Sequence, residues 1–291
     1  MGKKNKALQK SGSAKTFGTT PLSENPAPEE NKKSELEKRE ADKELGISQI
    51  EQREAEKDSA SEESLSTQQK ANIIKLPERV AHDKRIIHGV KEGKLVDYYK
   101  VLRTQIIQKM SRKNRKNILI TSSVAGEGKT LTALNLAIAF SKAIDFSVLL
   151  VEADLKRPAL QKYLRYSQSM RGLADYFLDD VPASELLVNP GIPKLDIIFA
   201  GRRIPDSSEL LGSTKMKQLV EDLARLYENS YVLFDMSSVH EFPDALVLTE
   251  FIDTVLFVVA AESTPLEKII SAQKKIKDRD LLGLVLNKAF L

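Results

Sequence analysis

One stretch of nine residues decides the fold of this chain: Ser122-Ser123-Val124-Ala125-Gly126-Glu127-Gly128-Lys129-Thr130. It lies between an apolar run at residues 118–121 and a segment of helix-forming composition. Glycine at 126 and 128 lets backbone amides approach an anion without a Cβ in the way. The start of the following helix adds unpaired N–H groups and a partial positive charge. The stretch therefore predicts a phosphate-binding loop for a nucleoside triphosphate.

The residues of this loop have separate roles in the prediction. Lys129 is placed to reach the terminal phosphates, and the Thr130 hydroxyl to ligate Mg²⁺. Ser123 stands where the pattern G-x-x-x-x-G-K-[ST] usually has its first glycine. A structural glycine turn that happens to precede Lys-Thr is the alternative, but the flanking strand and helix favour the nucleotide site. The candidate nucleotide-binding residues are Ser123, Gly126, Glu127, Gly128, Lys129, Thr130 and Leu131.

The composition excludes several classes of function. The chain has 291 residues and no cysteine, which excludes disulfides and thiol catalysis. The net charge of +4 is too small and too mixed to indicate nucleic-acid binding. No apolar run approaches the roughly 20 residues of a membrane span, and no signal-peptide pattern is visible. We therefore expect a cytoplasmic protein that binds no nucleic acid.

The N-terminal part of the chain differs in composition from the rest. Residues 1–72 are rich in Lys, Glu, Ser, Gln and Ala without lasting apolar periodicity, which predicts a disordered charged tail. Its first fifteen residues carry only positive charge, and this arm is either a weak contact for anionic lipid or a solubilising linker. We predict a connecting segment with a helix over 94–109 within residues 73–116, and a nucleotide-binding domain over 117–291.

Apolar strands alternate with helices through the predicted domain. The strands are expected at 117–121, 147–152, 195–199, 231–235, 254–259 and 283–287, and the helices at 129–144, 214–226 and 265–277. Strands that are apolar on both faces and alternate with helices indicate a mostly parallel sheet covered on both sides. The predicted fold is a three-layer α/β domain of the P-loop NTPase type.

Three carboxylates stand at the ends of two predicted strands. Glu152 and Asp154 end one strand, and because they are two residues apart they point the same way. Asp235 follows four apolar residues, the form of a Walker B carboxylate that holds Mg²⁺. We predict a metal site at Asp235, Asp154 and Thr130. Asp154 or Glu152 would accept the proton of the attacking hydroxyl, with Lys129 as the third catalytic residue. An acidic loop or cap residue remains the alternative for each, most of all for Glu152.

Two cations follow the same strand. We predict that Lys156 and Arg157 balance phosphate charge in the transition state. A solvated turn before Pro158 is an equally open alternative.

Three motifs follow one another along the chain: the phosphate loop, Val148-Leu-Leu-Val-Glu-Ala-Asp-Leu-Lys-Arg-Pro158, and Phe234-Asp235. From about residue 97 to the C-terminus, the chain resembles the bacterial tyrosine kinase (BY-kinase) family of capsular and exopolysaccharide synthesis, relatives of the MinD/ParA ATPases. The resemblance implies that the second motif is a Walker A′ motif, D-x-D-x-R, and that Asn287 contacts adenine. It also implies that Asp97, Lys100 and Arg103 form a self-association element like the family's E-x-x-R-x-x-R.

The same resemblance implies a function and its setting. The first hypothesis is an ATP-dependent protein tyrosine kinase that uses ATP and Mg²⁺ to regulate polysaccharide chain length and export. Its partners would be a membrane-spanning chain-length regulator that activates it and further copies of itself, at the inner face of the membrane. The alternative is a non-kinase ATPase or ATP-binding switch that acts as a regulatory scaffold in the same machinery.

Several residues depart from the family's pattern. Glu152 replaces the first Walker A′ aspartate, and Lys156 replaces the arginine, which loses planar bidentate phosphate recognition. Ser237-Ser238 stand where many members have Pro-Pro, and Val124 where the MinD/ParA signature lysine would be. No tyrosine cluster follows the last predicted strand, so we expect no self-phosphorylation on such a tail. The departures favour the switch, whereas the full motif set favours the kinase.

Overall fold

The computed structural model describes residues 72–77, 80, 85–90, 92–112, 116–166, 169–252, 254–276 and 279–289. These residues belong to one unit, Glu62–Leu291, while a second unit, Met1–Ser61, lies outside the described residues. The predicted tail over 1–72 therefore also lies outside them, except for Asn72. Its boundary with the connecting segment stays a prediction.

Eight strands and eight α-helices occur in the described part of the chain. The strands are β1 (Asn72–Ile73), β2 (Asn117–Ser122), β3 (Val148–Glu152), β4 (Val188–Asn189), β5 (Leu195–Ile198), β6 (Tyr231–Asp235), β7 (Thr254–Ala260) and β8 (Asp280–Asn287). The helices are α1 (Lys94–Ser111), α2 (Lys129–Ser141), α3 (Leu160–Tyr163), α4 (Leu173–Asp179), α5 (Ser208–Leu211), α6 (Thr214–Leu226), α7 (Asp244–Leu248) and α8 (Leu266–Lys275).

All eight strands join one sheet in the order β1-β4-β5-β3-β6-β2-β7-β8. Neighbouring strands are parallel except for β4 and β5, which are antiparallel. β2 lies between β6 and β7, so that Ile120 is opposite both Asp235 and Leu256. Four strands, β3, β5, β6 and β7, are buried along their whole length. This confirms the predicted mostly parallel sheet.

Helices cover both faces of the sheet. One core contains side chains of α4, α6, α7 and α8, together with strand residues such as Val151 and Phe234. The other contains α1, α2 and α3 with Leu150 and Leu233. Ten of the thirteen residues of α2 are buried, which explains why its sequence is apolar nearly all round. The predicted three layers are confirmed.

Short elements and some ends differ from the prediction. β1, β4 and helices α3, α4, α5 and α7 were not predicted, because two to seven residues carry too little periodicity. α2 ends at Ser141 rather than at residue 144. β8 begins at Asp280 rather than at the predicted residue 283. Leu282 is the extra residue of a bulge, and this interrupts the alternation of side chains by which the start of the strand could have been recognised. No helix in the described part has the length and apolar character needed to cross a bilayer.

Candidate functional site

The phosphate loop joins the end of β2 to the start of α2 by a bent backbone that requires glycine. Gly126 and Gly128 have φ of 80° and 91°, in the left-handed region that side chains rarely adopt. Gly128 is also the N-cap of α2. A Cβ at Gly128 would lie 2.1 Å from the Asn287 side-chain nitrogen, whereas a Cβ at Gly126 would meet nothing within 4 Å. Gly128 is therefore required by space as well as by conformation.

Two side chains hold this loop in place from within the protein. The Glu127 carboxylate accepts hydrogen bonds from the Val124 N–H at 2.8 Å, the Ala260 N–H at 3.2 Å and the Thr264 hydroxyl at 2.6 Å. Asn287 Nδ2 donates to the Glu127 carbonyl at 2.8 Å. The prediction of Glu127 as a nucleotide-binding residue is thus limited to its backbone, since its carboxylate ties the loop to the end of β7.

The loop borders a cavity of about 680 Å³, a volume typical of small-molecule sites. Of the predicted site residues, eight line it: Gly126, Gly128, Lys129, Thr130, Leu131, Asp154, Arg157 and Asn287. Ser123 is fully buried and does not line the cavity. The sequence motifs therefore come together at one concave surface beyond the carboxyl ends of the parallel strands, where α/β sheets bind ligands.

Part of the cavity wall was not predicted from the sequence. Arg85, Leu95 and Tyr99, which precede the phosphate loop in the chain, line it together with Asn135, Tyr163 and Glu241. Asn135 on α2 fixes the first of these segments, because its Nδ2 donates to the Arg85 carbonyl at 2.8 Å and its Oδ1 accepts from the Ile87 N–H at 3.0 Å. The amide side chain of Asn135, buried within a mostly apolar helix, is a signal in the sequence that could have indicated such a contact.

Lys129 and Asp154 face each other across this surface. The Lys129 ammonium lies 4.0 Å from Asp154 Oδ2, while Asp154 Oδ1 accepts a hydrogen bond from the Arg157 N–H at 3.0 Å. Burial raises the pKa of Asp154 above its ordinary value, although Lys129 and the Arg157 N–H both oppose that rise. A carboxylate with a raised pKa, held beside the phosphate-binding lysine, is suited to accept a proton.

Asp235 is buried and does not line the cavity, and neither of its carboxylate oxygens has a hydrogen-bond partner within 3.5 Å, although Thr130 lies close enough to influence its pKa. Burial raises its pKa to about 7, against the opposing influence of Lys129 and Thr130. Unpartnered buried oxygens near a hydroxyl and a phosphate site fit Mg²⁺ and its water. No group of three or more His, Asp or Glu side chains that could hold a metal ion occurs in the described residues.

The structure does not bring Glu152, a predicted catalytic residue, to the cavity. Both carboxylate oxygens are occupied by backbone N–H groups, those of Ala159 at 2.5 Å, Leu160 at 2.6 Å and Ala200 at 3.0 Å. The side chain is buried, and burial raises its pKa in spite of these three donors. Glu152 does not line the cavity. Its longer side chain turns to the backbone around α3 and β5, so its role is to join these segments.

Of the two cations predicted to balance phosphate charge, Arg157 lines the cavity and Lys156 does not. Lys156 Nζ lies 2.6 Å from Asp244 Oδ1 and 3.1 Å from the Ser208 hydroxyl, with its side chain only 11% exposed. An ammonium occupied in this way does not face a phosphate. Arg157 lines the cavity, but its guanidinium pairs with Glu241. Both cations lie within about 5 Å of the centre of the Phe242 ring.

The three predicted self-association residues lie on α1 and differ in exposure. Lys100 forms an exposed ion pair with Asp97 at 3.0 Å. Arg103 instead donates to the Ala139 carbonyl of α2 at 2.9 Å, in a partly buried position. Arg103 therefore holds two helices of the same chain together, which its position in a motif did not reveal. The other two residues remain available at the surface.

Comparison with known proteins finds relatives in sequence and in fold. Tyrosine-protein kinase YwqD of Bacillus subtilis is 28% identical over 193 residues, covering 66% of this chain and 80% of that protein. Tyrosine-protein kinase CpsD of Streptococcus pneumoniae serotype 4 is 27% identical over 197 residues, covering 67% and 85%. The kinase domain of Escherichia coli tyrosine kinase ETK shares the fold, with a TM-score of 0.66 at 22% identity over 76% of this chain and 89% of that domain.

The family assignment follows from the domain as a whole. The match to a family description covers residues 118–289, from β2 through β8, and so includes the phosphate loop, Asp154, Asp235 and Asn287. The chain belongs to the CobQ/CobB/MinD/ParA nucleotide-binding domain family.

Proposed function

We propose that this chain is an ATP-dependent protein tyrosine kinase that regulates polysaccharide chain length and export. The observation that carries the proposal is the convergence of Lys129, Thr130 and Asp154 on one cavity, with the buried carboxylate of Asp235 close enough to Lys129 and Thr130 for both to lower its pKa. A phosphoryl-transfer site needs this combination of phosphate donors, metal ligands and a proton acceptor. The tyrosine acceptor is supported by the names of the relatives YwqD and CpsD.

The described residues suggest a division of labour. The loop amides and Lys129 hold the triphosphate, while Thr130, Asp235 and Asp154 are the residues that would hold Mg²⁺. When bound, Mg²⁺ neutralises phosphate charge that develops during transfer. Asp154 accepts the phenolic proton as the tyrosine oxygen attacks the γ-phosphorus, and the bond to the bridging oxygen breaks so that ADP leaves. Of the two predicted proton acceptors, Glu152 is occupied by backbone donors and Asp154 lines the cavity, which supports Asp154 for this step.

One specific observation favours a second function. In the Walker A′ segment, Glu152 is bound to backbone amides and Lys156 to Asp244. Two of the three charged positions of the D-x-D-x-R pattern therefore hold the fold together. A site in which these two charged side chains are not available to the phosphates could bind and hydrolyse ATP without transferring phosphate to a protein. The second candidate is therefore an ATPase or ATP-binding switch that acts as a scaffold in the same machinery.

The proposal includes partners and a location. The exposed Asp97–Lys100 pair on α1 offers a surface for association between copies. A membrane-spanning chain-length regulator would be the activator and would hold the kinase at the inner face of the membrane. Contact of the basic N-terminal arm with anionic lipid would add only about 1 kcal/mol for each lysine near the surface.

Labelled ATP tests the two functions. The purified chain is incubated with Mg²⁺, tyrosine-containing polypeptides and the cytoplasmic tail of the regulator. Label on tyrosine supports the kinase, and released phosphate without labelled protein supports the switch. Lys129→Met should reduce either activity by at least about 100-fold, because it removes the charge that reaches the phosphates. Lys274→Met, an exposed lysine on α8, is the control. Turnover that survives in Lys129→Met contradicts the proposed site.

A further inference from the structure

Glu241 lines the nucleotide cavity, although no sequence motif indicated it. Both of its carboxylate oxygens are engaged: Oε1 pairs with the Arg157 guanidinium, and Oε2 accepts a hydrogen bond from the Ser238 hydroxyl at 2.5 Å. The Glu241 side chain is only 23% exposed, and Ser238 is fully buried. An unpaired carboxylate in a phosphate-binding cavity would repel the ligand, and the pairing with Arg157 offsets that charge.

The loop that carries Glu241 is fixed to the phosphate loop. It follows β6, and its Val239 N–H donates to the Ser122 carbonyl at 2.9 Å. The next N–H, that of His240, donates to the Ser123 carbonyl at 3.2 Å. The two carbonyl groups belong to the first residues of the stretch that would bind the phosphates. Glu241 is therefore held at a set position relative to the phosphate loop.

Arg157 is held both at its backbone and at its side chain. Its N–H donates to Asp154 Oδ1 at 3.0 Å, and Asp154 Oδ2 lies 4.0 Å from the Lys129 ammonium. Its guanidinium pairs with Glu241 through Nη1, and its Cζ lies 5.1 Å from the centre of the Phe242 ring. The backbone of Arg157 is thus close to the phosphate-binding lysine, while its side chain forms part of the cavity wall.

The Arg157 guanidinium keeps donors for a ligand. A guanidinium carries five N–H groups in a planar fork, and among the described residues Glu241 is the only hydrogen-bond acceptor of this side chain. The side chain lines the cavity and is 55% exposed. Paired N–H groups of this kind bind a phosphate with more energy and more specificity than a single donor does. An arginine that is oriented before binding also loses less conformational entropy when it binds.

We infer that Glu241 positions Arg157 so that the guanidinium donates to the terminal phosphate of a bound nucleoside triphosphate. Arg157 touches the ligand and Glu241 acts through it, which makes Glu241 a positioning residue. The inference rests on the proposed kinase function and adds a source of specificity to its nucleotide site. A diphosphate lacks the group that Arg157 binds, so the pair favours ATP over ADP.

Nucleotide affinity tests the inference without requiring turnover. Isothermal titration calorimetry of the full chain with Mg²⁺ gives the affinities for a non-hydrolysable ATP analogue and for ADP. The ratio of these affinities measures the preference for a terminal phosphate. We expect Arg157→Met to reduce this ratio about 10-fold, because the paired donors are lost. Glu241→Ala should reduce it about 3- to 10-fold, because the guanidinium is no longer oriented.

The sign of the effect separates positioning from charge. Removal of a carboxylate from a phosphate-binding cavity would by charge alone raise the affinity for the more highly charged triphosphate. Glu241→Gln removes the same charge as Glu241→Ala, but its amide can keep both hydrogen bonds, since the Ser238 hydroxyl can also accept. We therefore expect no reduction of the ratio in Glu241→Gln. Glu221→Ala, an exposed carboxylate on α6, is the matched control.

A double variant shows whether Glu241 acts through Arg157. In an Arg157→Met background, Glu241→Ala should cause no further reduction of the ratio. Glu241→Ser replaces Glu241→Ala if circular dichroism shows that the latter is unfolded. Three results would overturn the inference: an unchanged or raised ratio in Glu241→Ala, an equal reduction in Glu241→Gln, or a further reduction in the double variant.

The proposed kinase function fails separately. Unlabelled tyrosine in the ATP assay, together with coupled reductions of the ratio in Arg157→Met and Glu241→Ala, contradicts the kinase alone. Labelled tyrosine, together with a ratio that Glu241→Ala leaves unchanged, contradicts the role of Glu241 alone.

Discussion

Gly128 occupies the tightest position of the phosphate loop, because a side chain there would meet Asn287. Gly126 shares its left-handed backbone but has open space around it. We expect Gly126→Ala to lower the free energy of unfolding by roughly 1–2 kcal/mol through backbone strain alone. Gly128→Ala should cost at least about 1 kcal/mol more, because the clash is added to the strain. Urea unfolding of the two variants measures the difference.

Asn287 provides the control for that comparison. In an Asn287→Ala background the contacting side-chain atoms are gone. Gly126→Ala and Gly128→Ala should then lower the free energy of unfolding by about the same amount. An undiminished difference in this background would mean that the clash with Asn287 is not the cause.

Glu152 is expected to matter for folding rather than for catalysis. Glu152→Asp shortens the side chain that three backbone N–H groups share, and an unsatisfied buried donor costs about 1–3 kcal/mol. We expect a lower free energy of unfolding and no gain in phosphoryl transfer for each folded molecule. Asp154→Asn, in the cavity, should show the opposite signature of lost transfer with little change in stability. Faster transfer by Glu152→Asp would return Glu152 to the catalytic group.

The sequence was sufficient to select residues that line the cavity where their position depends on near neighbours. Lys129 and Thr130 follow directly from the loop and the helix start, and Asp154 from the end of its strand. Glu152 and Lys156 could not be assigned in this way, because each has a partner that is remote in the chain. Ala200 lies 48 residues from Glu152, and Asp244 lies 88 residues from Lys156. Only the packed fold brings these groups together.

Asp244 connects three elements through one buried carboxylate. It accepts from Lys156 after β3, from Ser207 and Ser208 at the start of α5, and it begins α7. Burial by itself would raise the pKa of Asp244, but these hydrogen bonds and the Lys156 charge outweigh it and hold the pKa below its ordinary value. A carboxyl group whose pKa is lowered by folding stabilises the native state above its unfolded pKa.

Asp244→Asn should therefore weaken the fold in a pH-dependent way. At about pH 7 we expect a loss of roughly 3 kcal/mol in the free energy of unfolding, because a partly buried lysine is left without its anion. The loss should shrink as the pH falls below about 4, where the wild-type carboxyl group also takes up a proton. Urea unfolding across this range measures it. Asp222→Asn, in the exposed pair with Arg225, should cost less than about 1 kcal/mol. A loss that does not vary with pH would contradict this explanation.

Element length explains which parts of the fold the sequence predicted. Apolar periodicity was sufficient to recognise strands β2, β3, β6 and β7 and helices α1, α2 and α6. β1 has two residues, and its ends are held by hydrogen bonds from Asn72 N–H to the Leu187 carbonyl and from Ile74 N–H to the Asn189 carbonyl. Its position depends on a remote partner strand, which no local pattern contains.

At the scale of the whole molecule, the prediction of a mostly parallel α/β sheet in a P-loop family is confirmed. The architecture could be predicted because it depends on apolar strands that alternate with helices along the chain, and on one loop motif. The sheet order was not predicted, although it decides which side of the loop each site residue occupies. Asp154 and Asn287 were both chosen from the sequence, but only the order of strands shows that they stand on opposite sides.

Association between copies is a property of the whole molecule that α1 can test. If copies associate through the exposed Asp97–Lys100 pair, Lys100→Glu should convert the assembly to a smaller species in analytical ultracentrifugation. Added salt should weaken the wild-type assembly in the same direction. Lys217→Glu on α6, which packs on the other face of the sheet, is the control. Identical sedimentation of Lys100→Glu and the wild type would contradict association through this helix.

The anchoring of the phosphate loop by Glu127 and Asn287 has a kinetic consequence. These two side chains fix the curvature of the loop when the chain folds, so a triphosphate meets a receptor with little conformational freedom left to lose. Nucleotide binding should then occur in one step without a conformational change of the loop, accelerated by electrostatic attraction. The single observed rate constant should rise in proportion to nucleotide concentration.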